Sequence, residues 1–166
     1  MIVHQLDHNE WTVVRAVRLD ALIESPPGTF GSTYEVASGW SEQQWRQWME
    51  GRTLFTADIE DGTAVGSVGA MIENSLPVVV SMWVTPTHRG TGLSDQLLHA
   101  VIDWAHARGH QELRLWVLQS NRNAESLYRR NGFTRTGNRK QCIDWPEQFE
   151  IEMSLALEPD PTEPQH

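Results

Sequence analysis

The sequence predicts a single α/β domain: a mixed, mostly antiparallel sheet of about seven strands with about four helices on its faces. Three observations predict it. Strand-like and helix-like apolar periods alternate along the chain in the order β-α-α-β-β-β-α-β-α-β-β. Residues 78–117 read as strand, helix, strand, the unit that joins two parallel strands by a right-handed crossover. The length, 166 residues, is that of one ordinary domain with a real core.

Residues 2–6 alternate and form the first strand. Val13, Val14, Val17 and Ala21 recur at helical spacing, which places a helix over 11–24. The prolines and glycines of SPPGTFGSTYE then impose an irregular loop. Ser41 with Gln44 is a capping box that opens a short helix carrying Trp45, Trp48 and Met49. TLFTADIEDGTAVGSVGAMI reads as two strands joined at the Asp61-Gly62 turn, and 78–84 is the fourth strand. Leu93, Leu97, Val101 and Ala105 stripe the third helix, Leu98 and Ile102 widen the stripe, and Gly109 ends it. Residues 113–117 are the fifth strand and 123–130 the fourth helix, stopped by Asn131-Gly132. Residues 133–136 and 149–155 read as the last two strands. The domain covers 1–157, and the acidic, Pro-rich tail 158–166 reads as disordered.

Composition narrows the function. Apolar residues are 39% and charged residues 21%, as in a globular domain, with no apolar run of membrane-spanning length. The net charge of -9 disfavours nucleic acid and anionic membranes as partners and favours cationic substrates. The start MIVHQLDHNE lacks a basic region followed by an apolar one, and the single cysteine, Cys142, cannot form an internal disulfide; both fit a cytoplasmic protein. No histidine lies near Cys142 in sequence, so it reads as an ordinary thiol. His99, Asp103 and His106 share a helix face at a spacing a metal could use, but that face is opposite the apolar stripe and reads as solvated; no metal is expected. The eight tryptophans read as core or pocket wall.

The chemistry gathers at VTPTHRGTGL, residues 84–93, where the fourth strand gives way to the third helix. A helix N-terminus offers free N–H groups and a partial positive charge. Gly90 and Gly92 let the backbone approach a ligand with no Cβ in the way, and Arg89 adds a fork for phosphate oxygens. Together they describe a phosphate or pyrophosphate site, although Gly-x-Gly alone is also what a plain strand-to-helix turn carries. The dinucleotide fingerprint fails because its third glycine would fall at Asp95, and the P-loop fails because no Gly-Lys-Ser/Thr follows a four-residue gap.

A second stretch, NRNAESLYRRNGF at 121–133, spaces Asn121, Ala124, Leu127, Tyr128, Gly132 and Phe133 about a short helix. With both stretches in this order, the chain resembles the GNAT superfamily of acetyl-coenzyme A-dependent N-acetyltransferases. That family pairs Val-x-Pro-x-x-Arg-Gly-x-Gly-Ile/Leu with a downstream Asn-x-x-Ala-x-x-Leu-Tyr-x-x-x-Gly-Phe. The departure is Ser94, where the family usually has Gly or Ala; a serine is small and can donate a hydrogen bond.

The resemblance implies acetyl-coenzyme A (acetyl-CoA) as co-substrate. It implies that the N–H groups of Arg89, Gly90, Thr91, Gly92, Leu93 and Ser94 cradle the pyrophosphate, and that the edge at Met82, Trp83 and Val84 pairs with the pantetheine arm where a bulge splays the strand. It also implies that the Val84 N–H polarises the thioester carbonyl, that Tyr128 protonates the leaving thiolate, and that Asn121 and Ala124 lie against the cofactor. Read from residues alone, Tyr128 is a half-buried helix tyrosine and Asn121 a helix cap. The base stays open: LPVVVSMWV holds no acid, Ser81 could only position water, and Glu73, Glu35 and Asp144 lie in flanking segments.

In the family, the loop after the first helix and the connection between the last two strands build the acceptor pocket. Here they supply the aromatics Phe30, Tyr34, Trp40 and Trp145 and the acids Glu35, Asp144 and Glu147, a set suited to a small cationic amine and also to plain loop anchoring. The expectation is direct acetyl transfer to a primary amine of a small molecule or amino acid. The alternatives are a peptide or protein N-terminus as acceptor, and a non-catalytic acyl-CoA sensor. A homodimer is compatible with the family.

Overall fold

In the computed structural model, which describes residues 1–26, 29–143 and 145–158, seven strands form one sheet. They are β1 (Ile2–Gln5), β2 (Arg52–Asp58), β3 (Ala64–Glu73), β4 (Leu76–Val84), β5 (Glu112–Leu118), β6 (Thr134–Gln141) and β7 (Phe149–Ala156). The order is β1-β2-β3-β4-β5-β7-β6, and only β4 and β5 run parallel. The helices are α1 (Trp11–Glu24), α2 (Tyr34–Ala37), α3 (Glu42–Met49), α4 (Leu93–Ala107) and α5 (Arg122–Arg130).

The fold class agrees with the expectation, with two differences. The loop after α1 contains a one-turn helix, α2, which apolar periodicity is too short to reveal; the Thr33 hydroxyl caps it by accepting from the Val36 N–H. The last hairpin is longer, because β6 runs to Gln141 through exposed polar residues that pair with β7. An edge strand bearing Arg135, Arg139 and Lys140 carries little hydrophobic alternation to read. Its connection to β7 therefore shrinks to residues 142–148, of which Asp144 lies outside the described residues, as does the tail beyond Glu158.

The sheet separates two apolar layers. On one face α4 buries Leu93, Leu97, Leu98, Val101 and Ala105 against Val65, Val68, Val79 and Val84, and α5 adds Leu127 and Tyr128. Gly66 allows this close approach, since a Cβ there would lie 3.0 Å from Leu97 Cδ1 and 3.2 Å from the Trp83 carbonyl oxygen. On the other face α1 and α3 pack Val14, Leu19, Trp45 and Met49 over Leu54. The Ser41–Gln44 capping box forms as predicted, with bonds of 2.8 and 3.2 Å. Trp40 is drawn into this layer, edge-on to Trp45 at 4.8 Å, and not into a binding pocket.

Asp95 ties the start of α4 to the end of α5. Its carboxylate accepts from Arg130 Nε at 2.9 Å, from the Arg130 terminal nitrogen at 2.8 Å and from Asn131 Nδ2 at 2.8 Å. The Arg130 hydrogen bonds are the main cause that lowers its pKa to about 2, from an ordinary 3.8. A lowered folded pKa gives stability that is present above pH 4 and lost as pH falls toward 2. Because the pair is partly solvated, Asp95→Asn should cost about 1 kcal/mol at pH 7. Melting curves of both proteins should show that gap closing as the pH approaches 2.

Candidate active site

The site begins with a defect in the sheet. β4 and β5 pair only at Val78–Arg114 and Val79–Leu115. Just beyond, Ser81 takes a left-handed φ of +58°, and the β3–β4 register slips between Ser67 and Gly69. This β-bulge turns β4 away, and a gap opens between 80–84 and 116–118. Past the bulge the ladder resumes: the Thr85 N–H donates to the Val65 carbonyl at 2.8 Å while Val84 faces Gly66. Antiparallel alternation then turns the Val84 N–H away from β3, toward the gap. Met82 shares that parity. Trp83 does not; its backbone faces β3, and its side chain forms wall rather than edge.

The gap leads to the start of α4. Gly90 and Gly92 have φ of +75° and +84°, and a Cβ on either would meet no protein atom. Backbone conformation, not crowding within the chain, demands glycine here. Among the described residues, the N–H groups of Gly90, Thr91, Gly92, Leu93 and Ser94 donate to no protein acceptor. A row of free donors at the N-terminus of a long helix, with open space where two Cβ atoms would stand, fits a pyrophosphate.

Arg89 departs from the expectation. Its N–H bonds the Pro86 carbonyl at 3.3 Å. Its Nε donates to the Val84 carbonyl at 3.0 Å and a terminal nitrogen donates to Glu24 at 2.7 Å. Glu24 also accepts from Trp83 Nε1 at 2.8 Å. Desolvation raises the Glu24 pKa, but the bonds from Arg89 and Trp83 outweigh it and hold the carboxyl below its usual range. Arg89 lines the cleft as a clasp between α1 and β4, with its fork already engaged. Sequence could not show this, because Glu24 lies sixty-five residues away.

Across the gap, Asn121 caps α5 by accepting from the Ala124 N–H at 3.1 Å. Its amide nitrogen has no partner among the described residues, so capping and ligand binding are compatible. Asn121, Ala124 and Tyr128 line an inner chamber with Phe30, Ser81 and Met82. Tyr128 is 6% exposed, and its ring meets Phe133 edge-on at 5.8 Å. Burial pushes its phenol well above the ordinary value, so it is a proton donor at any working pH. The chamber also contains Glu150 of β7, paired with Lys140 at 3.6 Å, which sequence reasoning missed. Alternation in FEIEMSL sets Glu150 apart from Ile151 and Met153, but only the pairing of Leu118 with Glu150 places it beside the gap. Glu73, by contrast, sits at the far end of β4.

Phe30, Tyr34, Glu35 and Trp145 do come together, with Leu22 and Ser25, around a hollow of about 410 Å³. Ser25, Pro26 and Phe30 line both this hollow and the cleft of about 690 Å³ that runs from the chamber to Gly90, so the two adjoin. Elsewhere, His99 bonds to Asn131 at 2.8 Å and His106 to the Glu158 carbonyl at 2.6 Å. Burial raises the Cys142 thiol, with Glu150 adding to it, and so keeps it protonated. No helix among the described residues is long and apolar enough to cross a membrane.

Comparison with known proteins agrees with this architecture. The model of the Acetyltransferase (GNAT) family matches residues 19–133. Mycothiol acetyltransferase of Clavibacter sepedonicus is 33% identical over 86 residues, which is 52% of this chain and 28% of that protein. The ribosomal-protein-S18-alanine N-acetyltransferase from Escherichia coli superposes with a TM-score of 0.71 at 19% identity, over 99% of both chains. The structure of yncA from Salmonella typhimurium with its cofactor acetyl-CoA gives a TM-score of 0.75 at 19% identity, over 99% of this chain and 98% of that one. These two structural likenesses are of fold.

Proposed function

Since this chain belongs to the GNAT acetyltransferase family, we propose that it transfers the acetyl group of acetyl-CoA to a primary amine of a small molecule by direct attack. One observation carries the reading: a single splayed gap in the sheet connects a row of free N–H donors, an outward-facing Val84 N–H and a buried phenol.

Acetyl-CoA supplies an activated thioester. The N–H groups of Gly90 to Ser94 bind its pyrophosphate, and the Asn121 amide nitrogen and the β4 edge orient the arm. The Val84 N–H donates to the thioester carbonyl oxygen as negative charge grows there. As the C–N bond forms and the C–S bond breaks, Tyr128, kept neutral by burial, donates a hydrogen bond to the departing sulfur, and the proton lost by the attacking nitrogen ends on that sulfur, giving the amide and the free thiol. A phenol held above a thiol in pKa gives up its proton reluctantly, so its main contribution is a strong hydrogen bond to the thiolate as it forms. Glu150 accepts the proton of the incoming ammonium, directly or through water, and so readies the nucleophile.

The test is thiol release from acetyl-CoA by the purified protein against amino acids, polyamines, aminoglycosides, aromatic amines and short peptides. Turnover confined to small amines is the expected result. Turnover on peptides alone would replace the acceptor assignment. Silence on every amine, with acetyl-CoA still raising the melting temperature, would make the protein a binding module.

A further inference from the structure

Arg18, on α1, stands at the bulge on the face of the sheet opposite α4. It donates to Ser81 Oγ at 3.3 Å, and its guanidinium carbon lies 4.8 Å from the Phe30 ring centre and 5.1 Å from that of Trp48. Arg52 stacks on the same Trp48 at 4.3 Å and donates to the Trp48 carbonyl. Among the described residues no carboxylate pairs with either arginine. Two neighbouring, partly buried cations with no counter-charge are costly to hold. Desolvation, helped by Arg52, lowers the Arg18 pKa to about 10, which still leaves it charged at neutral pH. Two of its contacts, Ser81 and Phe30, line the inner chamber where the acetyl group would be delivered.

We propose that Arg18 binds a carboxylate of the acceptor, so that the substrate is an amino acid or another amine carrying a carboxylate close to its nitrogen. The proposal rests on the acetyltransferase reading and narrows it. The rings of Phe30 and Trp48 stack on the guanidinium faces, and among the described residues Ser81 Oγ is the one side-chain acceptor its N–H donors meet, so a flat carboxylate that accepts two of them side by side is the complementary partner. Glu150, paired with Lys140 at 3.6 Å, lines the chamber whose wall Arg18 backs through Ser81 and Phe30, so an ammonium beside Glu150 and a carboxylate beside Arg18 would each face an opposite charge. The expected simple cationic amine would leave Arg18 unanswered.

The experiment compares each amino acid with its decarboxylated amine in the thiol-release assay, for wild type, Arg18→Gln and Arg18→Lys. The amino acids should be the better substrates. Arg18→Gln should raise their KM about 10- to 100-fold, the range for losing a hydrogen bond to a charged group. The KM for acetyl-CoA should not move, and Arg18→Lys should recover part of the loss by restoring charge without the fork. Equal turnover of the decarboxylated amines would overturn the proposal. So would an unchanged acceptor KM in both folded variants. Silence on every amine in both sets, with acetyl-CoA still binding, would overturn the acetyltransferase reading and this inference with it.

Discussion

Tyr128→Phe should lower kcat by about 10²- to 10³-fold while leaving acetyl-CoA affinity and the melting temperature nearly unchanged. The ring is 6% exposed and packs on Phe133, and phenylalanine keeps that packing. Among the described residues the hydroxyl has no hydrogen-bond partner, so its removal strands no protein group. A loss in kcat would then report the chemical step. The pH profile adds a second check. Burial raises the phenol above its ordinary range, so wild-type kcat should show no alkaline decline from Tyr128 at pH 8–10. An unchanged kcat in the variant would reduce Tyr128 to a packing residue and send the search for the proton donor elsewhere in the chamber.

Gly92→Val should weaken acetyl-CoA binding by about 100-fold, measured by titration calorimetry. Gly92 caps α4 at φ +84°, where a β-branched residue is strained, and relief of that strain would rotate the free N–H groups out of line. The new side chain would also project into the space proposed for the pyrophosphate, since no protein atom lies within 4 Å of the Cβ position. Gly109→Val is the control. Gly109 has φ +78° just past the other end of α4 and the same open surroundings. It should show similar destabilisation with unchanged acetyl-CoA affinity. If both variants bind acetyl-CoA equally well, the glycines serve only the turn and the cradle assignment fails.

Much of the fold was legible because its signals are local. The apolar stripe of α4, the Ser41–Gln44 capping box and the Asp61-Gly62 turn each depend on residues a few positions apart, and each forms as read. The exposed edge strand β6 is legible only to Thr136, because its residues are polar on both faces and only pairing with β7 makes them a strand. The site divided along the same line. Gly90, Gly92, Asn121 and Tyr128 sit in two short stretches whose spacing announces them. Glu24, Arg18 and Glu150 carry no such mark. Each is placed through a partner far along the chain: Arg89 and Trp83 for Glu24, Ser81 for Arg18, and Leu118 for Glu150.

By itself, then, the sequence determined the elements, the family resemblance and the two segments that frame the cleft, since periodicity, capping and turn chemistry act over one or two helical turns. The tertiary structure decided where charge lies in the site. It closed Arg89 onto Glu24, left Arg18 with no carboxylate partner among the described residues, and put Glu150 and Tyr128 on the wall of one chamber. Electrostatic pairing is set by distance in space and by desolvation, and both exist only once the bulge at Ser81 has opened the sheet and α1 has packed across it.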